Sequence, residues 1–277
     1  MRKNIMMRYP EGRTKALTFS YDDGVRQDVR FMEILNRYGM RGTFNINSGL
    51  YAAEEGHTRM TAEQITKAYA NGPHEVAVHS HTHPFLESVL TTDMIYEIMK
   101  DRELLEEQFG CVVRGMAYPM GTFSDEVVGV LKNCGIAYAR TTVATEKFSL
   151  PTDWLRLPAT CHHNNPRLME LARRFLELDL RSRPCALFYL WGHTYEFDHN
   201  DNWNVIEEFC EYLGGHEDEI WYATSIEIYE YIEDFKRLVT SVNNTIVKNP
   251  TARTLWFRRG GEVCSIAPGQ TLRFDAE

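Results

Sequence analysis

No stretch of the 277-residue chain approaches the roughly 20 consecutive apolar residues that a membrane-crossing helix requires. Basic clusters are missing too. Thirty Lys and Arg against 39 Asp and Glu leave a formal charge of −9, the wrong sign for tracking nucleic-acid phosphates. The six cysteines (Cys111, Cys134, Cys161, Cys185, Cys210 and Cys264) stand singly, without a CxxC pair, which argues against a zinc knuckle or a disulfide framework. The opening stretch MRKNIMMRYPEGRTKALTFS is basic but has no apolar core of the kind a secretory signal carries. No internal repeat of 20–50 residues is present. These absences predict a reduced, cytoplasmic protein that engages neither membrane nor nucleic acid.

What is present reads as an ordinary globular chain, 43% apolar and 25% charged, in which strand and helix patterns alternate. KALTFSY, GTFNIN, EVAVHS, VVRGMAYP, AYARTT, CALFYLWG and IWYAT read as seven strands. Between them, Val25, Val29, Met32 and Leu35 mark one helix face, stopped by Gly39. Thr61 with Gln64 forms a capping box, and a helix over roughly 93–109 closes at Gly110. Ser124 caps the next helix. A long crossover holds a helix over 167–178, with Asn165 as cap and Pro166 at its first position. Val205, Ile206, Phe209 and Leu213 line the following helix, and Ser225 caps the last.

Seven such units in succession predict right-handed crossovers and a mainly parallel α/β sheet, but periodicity does not choose between a closed barrel and an open doubly wound sheet. After Val242, short runs separated by Asn-Pro, Gly-Gly and Pro-Gly turns predict a small β appendage. The expected division is 1–241 and 242–277. The appendage is expected to pack on the barrel; Trp256 and Phe257 read as exposed on it, which lets it either cover an edge of the barrel or serve as a surface for a homo-oligomer.

Three of the ten histidines fall within five residues, His79, His81 and His83 in HSHTHP. In parallel α/β folds, reactive groups gather at the carboxyl ends of the strands. Asp22 and Asp23 follow the first predicted strand, and the three histidines follow the third. YPMG follows the fourth, Asp153 and Trp154 lie beyond the fifth, and His193 follows the sixth. Each alone has an ordinary explanation, since Asp-Asp-Gly is a common turn. Their joint arrival on one rim points to a metal held by imidazoles and a carboxylate. Histidines four apart converge in a tightly turned segment, whereas histidines two apart share one side of an extended strand. Spacing therefore leaves 79/83 and 79/81 open.

TFSYDDG resembles the motif T-F-D-D-G, and HSHTHP matches H-[ST]-x-x-H-P. Over about residues 15–235 the sequence resembles the polysaccharide deacetylase family, also called carbohydrate esterase family four or the nodulation-deacetylase homology domain. The resemblance implies a distorted seven-stranded (β/α) barrel. It implies hydrolytic removal of an N- or O-linked acetyl group from a saccharide, with release of acetate. It also implies one divalent metal on Asp23, His79 and His83, with zinc expected and cobalt, nickel or manganese as alternatives. Asp22 would be the base, His81 a bystander and the Met120 backbone N–H the oxyanion donor. His193, in LWGHTYEF, would be the proton donor, and Asp153 would orient it.

Where the family often carries an arginine that tethers the base, this sequence has Ala117. Another cation is then required, Arg156 as first expectation and Arg140 as second. Val25 also replaces the usual proline after the first motif. Tyr118, Trp154 and Trp191 are expected to contact substrate, an acetylated oligosaccharide or sugar conjugate. His162 and His163, in CHHNN, read as loop residues within reach of substrate, and EFDHN (196–200) reads as a solvated turn. Two other functions remain in view: an amidase acting on a small non-sugar C–N bond, and a carbohydrate-binding protein without catalysis.

Overall fold

The computed structural model describes residues 3–70 and 72–275. A short strand, β1 (Ile5–Arg8), precedes β2 (Lys15–Asp22), all eight residues of which are buried. A strand covered on both faces needs no polar alternation, which is why KALTFSYD reads as nearly continuous. α1 (Gln27–Arg37) packs through Phe31, Met32, Ile34 and Leu35; of the predicted face, Val25 is buried just ahead of the helix and Met32 and Leu35 within it, while Val29 is left 42% exposed. Gly39 ends this segment with φ 64°. β3 (Gly42–Ile46) and α2 (Ala62–Tyr69) follow, and the Thr61/Gln64 capping box is present. Next come β4 (Glu75–Val78), α3 (Thr91–Phe109), β5 (Gly115–Ala117) and α4 (Asp125–Asn133), with Ser124 as N-cap of α4.

After β6 (Tyr138–Ala144), the stretch expected to be a plain crossover yields two short strands, β7 (Leu157–Ala159) and β8 (Cys161–His162). α5 (Leu168–Leu176) then begins later than predicted. Asn165 accepts from the Arg167 N–H ahead of the helix rather than capping it. The chain continues through β9 (Ala186–Gly192), α6 (Tyr195–His199), α7 (Trp203–Leu213), β10 (Ile220–Tyr222) and α8 (Ser225–Lys236). Thr224, not Ser225, caps α8, in a box with Glu227.

The main sheet runs β7-β6-β5-β4-β3-β2-β9-β8, every pairing parallel, with β10 on the first half of β2. It curls into a nearly closed (β/α) barrel whose seam lies where β7 and β8 do not pair. A cavity of about 300 Å³, lined in part by Lys147, Asp153, Arg156, Leu187 and Tyr189, opens near that seam. The carboxyl ends of β2, β4, β5, β6 and β9 share one rim.

The last strands are β11 (Val239–Thr240), β12 (Ile246–Lys248), β13 (Leu255–Arg259), β14 (Glu262–Ile266) and β15 (Thr271–Arg273). They form two antiparallel sheets, β11-β12-β15 and β1-β13-β14. The appendage therefore takes a strand from residues 5–8, outside the predicted 242–277. Val247, Leu255, Phe257 and Ile266 are buried against Ile228, Tyr231 and Ile232 of α8. Phe257, expected on the surface, is fully buried, and Trp256 is partly so. Among the described residues, no helix is long and apolar enough to cross a membrane.

Candidate metal and catalytic site

β2 ends on two carboxylates that part company at once. Asp22 keeps strand geometry and its side chain is buried, whereas Asp23 turns to φ 85°. Beyond β4, Ser80 (φ 63°) and His83 (φ 59°) also adopt the left-handed conformation, as does Met120 (φ 56°) after β5. Such residues carry local strain of about 1–3 kcal/mol each and persist where surrounding contacts enforce them. α3 supplies the contacts for the third loop. Asp101 accepts from the N–H groups of His79 and Ser48, and Glu97 accepts from the N–H and hydroxyl of Thr82.

The turn abolishes the two-residue alternation of a strand. His83 Nε2 therefore comes within 3.2 Å of His79 Nε2, while His81 turns aside with its Nδ1 3.1 Å from Ser48 Oγ. Gly49 leaves room for that ring, since a Cβ there would lie 2.6 Å from the His81 carbonyl. Of the two pairings left open by spacing, the structure brings together 79 and 83.

Donor atoms of Asp23, His79 and His83 lie within 4.8 Å of one another. His79 Nδ1–H donates to the Ala117 carbonyl at 2.9 Å, so Nε2 presents its lone pair to the rim. Burial pushes His79 down and brings His83 to about 4, so both imidazoles are neutral donors near pH 7. Two proton-free nitrogens beside a carboxylate suit a divalent cation of the zinc type. Arg59, which sequence reasoning overlooked, grips Asp23 at Oδ1 (2.9 Å) and at its carbonyl (2.6 Å). No motif signals this residue, because the loop between β3 and α2 carries it across from outside the strand ends.

Asp22 sits between two imidazoles, with His79 Nε2 and His193 Nε2 each 3.8 Å from its Oδ2. Arg140 Nη2 donates to both of its oxygens, and Asn45 Nδ2 donates to Oδ1 at 2.8 Å. Burial alone would raise the carboxyl. The positive charge of Arg140, with His79 and His193, outweighs that and brings it to about 2. Arg140 pairs in register with Ala117 across β5 and β6, so the neighbouring strand delivers a guanidinium at the level where the alanine leaves space. Its guanidinium lies 4.5 Å from the Trp191 ring centre. Arg156, the first expectation for this contact, pairs with Asp153 (2.7 Å) and Asp125 (2.5 Å) instead. It ends a three-residue turn (Trp154–Arg156) and lines the cavity near the seam.

His193 follows β9, and its Nδ1 lies 2.9 Å from Glu196 Oε1. Asp153, expected to orient it, is engaged by the Leu155 N–H and Arg156. Glu196 Oε2 also meets His163 Nε2 at 3.0 Å and His162 Nε2 at 3.3 Å. Burial works to raise Glu196, but these imidazoles hold it well below the usual carboxylate range. For His193, burial works downward, yet Glu196, Asp22 and Asp23 together hold it above its ordinary value. EFDHN thus makes up all of α6 after Tyr195, with Asn200 as its C-cap, and its glutamate faces the rim because a three-residue step from His193 makes one helical turn. His162 and His163 belong to the strand-end β8 region, not to a free loop.

The expected substrate contacts fare differently. Tyr118 is buried, with its hydroxyl donating to the Leu155 carbonyl. Trp154 donates from Nε1 to Glu233 and packs edge-on against Tyr229, both on α8, away from the rim. Trp191 stays at the rim beneath Arg140. Met120 is half exposed at the mouth.

Residues 9–139 match the family model for polysaccharide deacetylase. Over that stretch the chain is similar to this family. A Mycobacterium smegmatis protein assigned to the polysaccharide deacetylases shares 17% identity, with 84% of this chain and 95% of that one covered and a TM-score of 0.59. A carbohydrate esterase family 4 domain of a multidomain xylanase, from the hindgut metagenome of Trinervitermes trinervoides, shares 16%, covering 79% and 90% with a TM-score of 0.52. A family 4 pseudoenzyme from Bacillus anthracis shares 17%, covering 81% and 68% with a TM-score of 0.50. No curated protein matches the sequence. At these identities the structures establish the barrel fold alone. The pseudoenzyme among them means that this fold alone does not establish turnover, so any activity of this chain must be argued from its side chains.

Proposed function

We propose that this protein is a metal-dependent hydrolase that removes an N- or O-linked acetyl group from a saccharide and releases acetate. The observation that carries the reading is the placement of Asp22 Oδ2, 3.8 Å from His79 on the metal side and 3.8 Å from His193 on the other. Asp23, His79 and His83 would hold one divalent ion, zinc in the first instance. Such an ion, when bound, polarises an acetyl carbonyl and makes coordinated water more acidic.

The chain's own groups account for the remaining steps. Asp22 is ionised throughout the ordinary pH range and accepts a proton from the attacking water at its free lone pairs. Arg140 and Asn45 fix that carboxylate so that it need not reorganise during the reaction. The Met120 N–H, in the left-handed turn after β5, would donate to the developing oxyanion. His193 Nε2 delivers the proton to the departing nitrogen or oxygen. Trp191 offers a partly exposed aromatic face for a sugar ring.

Acetate release from N-acetylated chito-oligosaccharides and O-acetylated xylo-oligosaccharides tests the activity. Asp22→Asn should lose about 10²–10⁴-fold in kcat, the usual contribution of a general base, with bound metal unchanged. A wild-type chain that holds metal and saccharide but frees no acetate would make this a binding protein. Release from small non-sugar amides alone would make it an amidase.

A further inference from the structure

Three imidazoles and one carboxylate crowd the rim beyond β8 and β9, and the reaction as proposed uses only His193. Glu196 is the hub of the rest. It stands three residues after His193, where the Glu196 N–H donates to the His193 carbonyl at 3.1 Å and closes the turn. One carboxylate oxygen meets His193 Nδ1 at 2.9 Å, and the other meets His163 and His162 at 3.0 and 3.3 Å.

The far side is rigid. His163 is completely buried, stacked 4.2 Å from Phe197 and 5.7 Å from Tyr21. The backbone of β9 lies against it so closely that a Cβ on Gly192 would sit 2.0 Å from His163 Nδ1. His162 Nδ1 accepts the Asn164 N–H at 3.1 Å, which puts the ring proton of neutral His162 on Nε2, toward Glu196.

We infer that Glu196 is the positioning residue of the proton donor. It clamps His193 by Nδ1 so that Nε2 faces Asp22, while His162 and His163 anchor its second oxygen. This inference rests on the reading of His193 as the acid. It gives a chemical identity to the carboxylate that the sequence places at Asp153, and it assigns the CHHNN histidines to the clamp and not to substrate.

A second metal site is the competing account, since donor atoms of His162, His193 and Glu196 also lie within 4.8 Å of one another. The wiring disfavours it. His162 has its lone pair committed to Asn164, and His193 points Nδ1–H at Glu196, so free lone pairs do not converge on one point.

The test compares two substrates differing in leaving group, in metal-loaded wild type and Glu196→Ala. An N-acetylated chito-oligosaccharide needs a proton on its departing nitrogen, whereas 4-nitrophenyl acetate expels a phenolate that needs none. Glu196→Ala should lose about 10²-fold in kcat on the oligosaccharide, with KM and bound metal unchanged, and about tenfold less than that on the aryl ester. Equal losses on both substrates, or two ions per wild-type chain falling to one in the variant, would overturn the inference. Should Glu196→Ala fail to fold, Glu196→Gln reads the same split. Its amide cannot accept from His193 and from His162 and His163 together.

A second readout needs no turnover. Nitrogen-edited proton spectra of the wild-type chain should show a hydrogen-bonded His193 Nδ1–H that disappears in Glu196→Ala or Glu196→Gln. Its absence from wild type overturns the clamp. A chain that shows this signal but frees no acetate keeps the clamp and loses the proposed function.

Discussion

Asp23, His79 and His83 face the same rim as Glu196, His162 and His193. Each set is one carboxylate and two imidazoles, with donor atoms within 4.8 Å. They differ in where the protons sit. In the first set, the Ala117 carbonyl takes the His79 Nδ1–H, and two Nε2 atoms meet at 3.2 Å without a carboxylate between them. In the second set, the carboxylate lies between the rings, 2.9 Å from His193 Nδ1 and 3.3 Å from His162 Nε2. The first has lone pairs to give to a cation. The second has already satisfied its own charge. The contrast teaches that a donor inventory does not make a metal site: the bond each ring makes with its other nitrogen decides which face is left for an ion.

The sharpest way to break the comparison is to remove one imidazole from each set. His83→Ala should strip the ion and reduce acetate release to background, whereas His162→Ala should leave metal content after dialysis at the wild-type level. Metal lost from His162→Ala would make the two sets equivalent.

The next largest effect concerns the carboxylate between them. Arg140→Ala leaves a buried, unpaired Asp22 and should cost about 3–5 kcal/mol in denaturant unfolding, together with most activity. Arg156→Ala removes contacts only to exposed Asp125 and half-exposed Asp153 and should cost about 1 kcal/mol or less. The reverse order would move the tether to the seam of the barrel.

Gly192→Ala forces a methyl onto His163 and should cost about 1–3 kcal/mol by overpacking, with activity lowered through Glu196 and metal content kept. An unchanged unfolding midpoint would detach His163 from the clamp.

The smallest signal is the titration of the rings in the metal-free chain. His83 and His162 should take up protons only as pH falls through about 4, because burial disfavours their charged forms. His193, held up by Glu196 and Asp22, should release its proton above the ordinary histidine value as pH rises. One common midpoint for the three, read from ring carbon-bound proton shifts, would erase the proposed difference in wiring.

Much of this was legible in residues alone. Strands long enough to show a pattern, such as KALTFSY and CALFYLWG, pointed to a mainly parallel α/β sheet, only the family resemblance implied its closure into a barrel, and the strand-end rule put Asp22, Asp23, His79, His83 and His193 on one rim. β7 and β8, with three and two residues, are too short to carry a periodicity, so their segment read as a crossover. The same gap hid the setting of His162 and His163. Arg140 was outranked by Arg156 because register across β5 and β6 is not visible in a single sequence. Glu196 did leave a trace, a carboxylate three residues past a strand-end histidine, but one helical turn is only five residues long here and resembled a loop. Trp154 was assigned to substrate from residue type alone, and only the packing of α8 shows its indole committed to Glu233.

A crystal grown with zinc and measured on both sides of the zinc absorption edge tests the central claim most directly. The account predicts a single strong anomalous peak bounded by Asp23, His79 and His83, with Asp22 beside it and Glu196 free of metal. A peak seated on Glu196, His162 and His193, or none within reach of Asp23, would contradict it.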